Sequence, residues 1–93
     1  MNTTWSSLAI QLHRVAQEHH RAGARYYASL QHPDCPSHKA VTERYKDSCK
    51  VYTTSLADCE DYLLSIKRAR EMNEELYRIQ NLIHSVRVAL KYL

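Results

Sequence analysis

Six histidines, three cysteines and two adjacent acid pairs are the groups in this 93-residue chain with the chemistry to hold a metal or move a proton. His19 and His20 are neighbours, with His13 six residues before, and His32 and His38 twelve and eighteen after His20. A zinc ion held on one helix face wants ligands at i and i+4, and no second histidine sits at that spacing, so no metal site is expected. Glu60-Asp61 and Glu74-Glu75 are adjacent in sequence, which on a helix turns their carboxylates in different directions. They read as solvated faces. No serine is backed by histidine and aspartate in a nucleophile motif, and the single glycine, Gly23, rules out a glycine-rich phosphate loop. Catalysis has no candidate, so the chain is expected to be non-enzymatic, with no cofactor and no small-molecule substrate.

Cys35, Cys49 and Cys59 are an odd set, and reduced thiols in the cytoplasm are the expectation. Cys49 and Cys59 stand ten residues apart, just under three helical turns, so they share a face about 15 Å apart and cannot bond each other. Both fall on an apolar seam, where small hydrophobes belong. The C-x9-C spacing resembles half of the twin motif of mitochondrial intermembrane-space proteins, and that resemblance implies an oxidised assembly factor as an alternative function. Leu76-Tyr77-Arg78 is similar to the signature tripeptide of the mitochondrial LYR family, but it lies near the chain's end rather than at the start of a first helix. The first helix has Arg and Ser and little acid, a composition shared with mitochondrial presequences. No secretory signal is expected from Met1-Asn2-Thr3-Thr4-Trp5, and no apolar run is long enough to cross a membrane.

These groups are carried by helices. Gly is nearly absent and both prolines, Pro33 and Pro36, fall in one short stretch. Thr3 or Thr4 can cap a first helix over residues 4–31, whose seam runs through Trp5, Leu8, Leu12, Val15, His19, Ala22 and Tyr26 with alternating steps of three and four. Residues 32–37 form the connection, and Ser37 can cap a second helix. So short a link makes antiparallel neighbours, and the unit is an antiparallel helical hairpin of coiled-coil type.

From residue 38 to 92 nothing breaks the helical pattern. Tyr45, Cys49, Tyr52, Leu56, Cys59, Leu63 and Ile66 make one seam, and Met72, Leu76, Ile79, Ile83, Val86 and Leu90 make another, shifted by one position near Ala69–Asn73. The slip is either a local overwinding of one helix about 80 Å long or a break, with Asn73 as a new cap, into a three-helix bundle. The long helix is the expectation taken forward. Its distal half would have no partner within the chain, so Tyr45, Tyr52, Leu56, Leu63, Leu76, Ile79, Ile83, Val86 and Leu90 are assigned as a partner interface. Tyr62 and Tyr77 join Tyr45 and Tyr52 as half-apolar rings suited to such a seam.

The net charge of +3 is modest and uneven: residues 1–33 carry +2, 34–66 carry −2 and 67–93 carry +3. Acidic residues interleave with basic ones, so nucleic acid is not an expected partner. Lys67, Arg68 and Arg70 cluster at the register slip, and Arg14, Arg21 and Arg25 share a face of the first helix.

Glu60-Asp61-Tyr62-Leu63-Leu64-Ser65-Ile66, within residues 49–77, is similar to a run in the long third helix of F-BAR domains, which is followed there by a tyrosine. Trp5 to Tyr26, with its Trp-x-x-Leu start and Ala16-Gln17-Glu18-His19 centre, is similar to the helix before it. The resemblance implies an elongated antiparallel dimer that meets anionic membrane through Lys67, Arg68 and Arg70. An F-BAR domain is about three times this length, so the chain would be a shortened relative. The function expected overall is a cytoplasmic helical scaffold, docking on a second copy or on another helical protein. Peripheral membrane binding and a mitochondrial location are the alternatives.

Overall fold

A computed structural model describes residues 4–66 and 70–93 as three helices: α1 (Trp5–Ser29), α2 (Ser37–Ile66) and α3 (Arg70–Lys91). The fold is all-α. Thr4 caps α1 by accepting a hydrogen bond from the Ser7 backbone N–H at 3.3 Å, satisfying one of the orphan donors of the first turn. The chain leaves α1 at Leu30, and the two prolines hold the link to α2. Ser37 is the first residue of α2 rather than its cap.

The continuous helix over 38–92 does not form. α2 is about 45 Å long at 1.5 Å per residue, and the longest dimension of the molecule is 51 Å, well short of the 80 Å a single helix needs. The chain turns back before α3, and Asn73 lies inside α3 rather than capping it. The reason is in the register slip. Two apolar seams offset by one position bury more surface folded face to face than laid end to end in water.

Both α1 and α3 pack on α2, while no Cα of α1 comes within 8 Å of α3 among the described residues. The core is accordingly a single stripe of α2 (Tyr45, Cys49, Tyr52, Leu56, Cys59 and Leu63) met by Leu12 and Ala22 from one side and by Leu76, Ile79, Ile83 and Val86 from the other. Leu56, Cys49, Cys59 and Ile79 are wholly buried. The body is thin, 25 by 15 Å across.

Truncating Leu56 or Ile79 to Ala should destabilise the fold by about 2–5 kcal/mol in urea unfolding, because each leaves a cavity that helices cannot easily close. Tyr92→Ala, at a side chain 85% exposed, should change stability by less than about 0.5 kcal/mol. Equal effects at the three positions would contradict this core.

Candidate functional site

Of the residues assigned to a partner interface, Tyr45, Tyr52, Leu56, Leu63, Leu76, Ile79, Ile83 and Val86 are buried in the chain's own core, and Leu90 packs partly buried against it. The seam that an extended second helix would offer to a partner is filled by α3. Lys67 and Arg68, of the expected membrane cluster, lie outside the described residues, as does the Arg70 side chain. Tyr62 is half-buried and stacks on Trp5 at 6.2 Å, whereas Tyr77 is 72% exposed.

The α1/α2 seam changes chemistry along its length. Toward the prolines it is a file of rings contributed alternately by the two helices: His38, Tyr26, Tyr45, His19 and Tyr52. Centroid distances are 4.9 Å for Tyr26–Tyr45, 5.4 Å for Tyr45–His19 and 4.8 Å for His19–Tyr52, within the range of favourable ring contacts. Gly23 sits under the Tyr45 ring, where an added Cβ would lie 3.3 Å from Tyr45 Cε1. The sole glycine thus gives the ring its seat. Burial, with a hydrogen bond that the Tyr45 hydroxyl donates to Tyr27, pushes that hydroxyl well above its ordinary range.

Sequence reading places His19 on this seam but cannot pair it with Ser48, 29 residues away, whose Oγ lies 3.3 Å from His19 Nδ1. Ser48 Oγ also donates to the Tyr45 carbonyl at 2.7 Å, so the hydroxyl bridges its own helix and the imidazole. Ser29 repeats the arrangement, donating to the Tyr26 carbonyl at 2.7 Å and standing 2.8 Å from His38 Nδ1. Both pairs join α1 to α2. Among the described residues no cluster of three His, Cys, Asp or Glu side chains can hold a metal ion.

The thiols do not meet. Cys49 and Cys59 are buried and free, their acidity weakened by desolvation, and Cys35 is exposed on the link. Hydrogen bonds from Ser37 pull the Cys35 thiol below its ordinary value of 9.0.

What remains open is surface. Away from α3, α1 and α2 enclose a long groove of roughly 600 Å³ in its central part, lined there by Val15, Glu18, Arg21, Ala22, Arg25, Arg44, Asp47, Ser48 and Val51. It continues past Ala40 and Val41 at one end and past Ser55 and Asp58 at the other. A smaller gap of about 210 Å³ separates α1 from α3, with Trp5, Leu12, His13 and Tyr52 facing Glu75 and Arg78. Arg78 is held by Glu75 in an ion pair within its own helix. Sequence reading sees the arginines of α1 as one face but misses Arg44, because only the packing of α1 on α2 brings it alongside.

His19 is held below its ordinary value of 6.5, first by burial and then by the neighbouring charge of His20. A base whose folded pKa is lowered binds protons more readily when unfolded. Stability should therefore be full above about pH 6.5 and fall as pH drops below that value. His19→Gln should flatten that part of the pH profile in urea unfolding, and an unchanged slope would contradict the assignment. One thiol, Cys35, should react rapidly with a disulfide reagent in the folded chain, and the other two only with denaturant present. Rapid reaction of all three would place Cys49 and Cys59 outside the core.

No helix among the described residues is long and apolar enough to cross a membrane. Compared with known proteins, the chain matches no family model, no curated protein and no solved structure.

Proposed function

We propose that this chain is a non-enzymatic helical interaction module, which works by presenting the outer surfaces of its three-helix fold to another helical protein or to a second copy. One observation carries the reading. The chain exposes 6899 Å², whereas a compact monomer of 10.9 kDa exposes about 5,600 Å². The excess of about 1,300 Å² exceeds the roughly 800 Å² that each partner contributes to an ordinary stable interface. The radius of gyration points the same way, at 15.3 Å against about 12 Å for a compact domain of this length. Among the described residues no Cα of α1 comes within 8 Å of α3. Apolar side chains stand in that surface, among them Ile10, Val51, Tyr77 and Val88.

The test is site-specific photo-crosslinking in the cells that express the chain. A photoreactive residue is placed singly at Ile10, Val51, Tyr77 or Val88, and protein adducts are resolved by mass. A discrete adduct from one or two adjoining positions is expected. Absence of adducts from all four would sink the reading.

A further inference from the structure

We infer that the α1/α2 groove is the docking site for an acidic amphipathic helix of another protein, recognised by Arg21, Arg25 and Arg44. The inference deepens the proposed interaction role and rests on it. Its first support is shape. The three open sections share lining residues: Val15 and Val51 join two of them, and Ala22, Arg25 and Arg44 join the next. They make one trough running from Ala40 to Asp58 along α2, about 27 Å or five helical turns. Its floor is apolar or small, with Val15, Ala22, Val41, Val51 and Ser55, so an incoming backbone can approach closely. Val51 is 55% exposed although it points into this trough.

The second support is charge. Among the described residues, none of Arg21, Arg25 and Arg44 makes a hydrogen bond or an ion pair, whereas Lys46 and Arg78 each pair within their own helix. Glu18 and Asp47 share the middle of the trough but are outnumbered there. At the Ala40 end Arg25 and Arg44 flank Ala22 and Val41 with no acid among the lining residues. Unpaired guanidinium groups beside an apolar floor fit carboxylates that flank an apolar helix face, the arrangement of helix-in-groove recognition.

A second copy fits poorly. The segments that contain α1 and α3 are themselves net positive, and α2, the acidic helix, has its apolar stripe already buried. A bilayer fits poorly as well, because a flat headgroup plane cannot reach the floor of a trough walled by two helices.

The full chain is titrated against a fluorescent designed peptide of about 20 residues, helical, with Leu and Ala on one face and Glu flanking it. A second peptide carries Lys in place of Glu, and vesicles of phosphatidylcholine with phosphatidylserine form the third arm. The acidic peptide is expected to bind, more weakly as salt rises, and to lose at least about tenfold in affinity in the R25E/R44E variant. Val51→Asp should weaken it similarly and Arg87→Glu on α3 should leave it unchanged, with circular dichroism confirming helix content in each. Failure of the acidic peptide to bind, equal binding of the Lys peptide, or undiminished binding by R25E/R44E overturns the inference. So does vesicle binding that depends on Arg25 and Arg44, or a dimer in light scattering that the double variant dissolves. Crosslinks from Tyr77 or Val88 without any from Val51 remove the groove and leave the interaction module standing; no crosslinks at all remove both.

Discussion

The stripe on α2 from Tyr45 to Leu63 is buried by two helices at once, and every other element takes its place from that double use. Its residues recur at three and four, so they occupy a narrow sector of the helix surface. α1 reaches the stripe through Leu12, Ala22 and the rings of His19 and Tyr26; α3 reaches it through Leu76, Ile79, Ile83 and Val86. Residues of the stripe must therefore fill the space between both neighbours, as Leu56 and Leu63 do by bulk. Cys49 and Cys59 meet that demand as compact hydrophobes, and their thiol chemistry is suppressed by the same burial. The aromatic half of the seam meets it differently. Its rings stack or tilt against one another, and Gly23 clears the volume that Tyr45 fills.

Much of this is legible in the residues. The stripe of α1, the cap at Thr4, the proline-bounded link and both apolar seams of residues 38–92 come from periodicity and from helix-terminating chemistry. What periodicity does not contain is the identity of the surface that fills a seam. Leu76, Ile79, Ile83 and Val86 have the same pattern whether they meet α2 of their own chain or a partner. Between Tyr45 and Leu90 the sequence holds neither Gly nor Pro, so the reversal between α2 and α3 has no breaker residue to announce it. The register slip is its only trace. Without a local stop signal the residues imply a long helix and an exposed distal interface, and the folded chain buries the seam instead.

The groove is less legible still, for a related reason. Arg21 and Arg25 precede the link and Arg44 comes after it, so their proximity is a property of the hairpin rather than of either helix. His19 and Ser48 are brought together in the same way. In both cases the antiparallel pairing makes the association. Charge counted along the chain averages these local excesses away: residues 34–66 are net negative, yet their Arg44 stands at the basic end of the trough.

The separation of α1 from α3 has a bearing on how the molecule holds together. With no Cα of α1 within 8 Å of α3 among the described residues, the backbones form a linear array of three members and two interfaces, coupled through the side chains of the shared α2 stripe. In such an array a change in one interface reaches the other only through the shared member. Loss of α3 would bare one flank of α2, including the Tyr52 end of the ring file. Here the middle helix alone makes the structure cooperative.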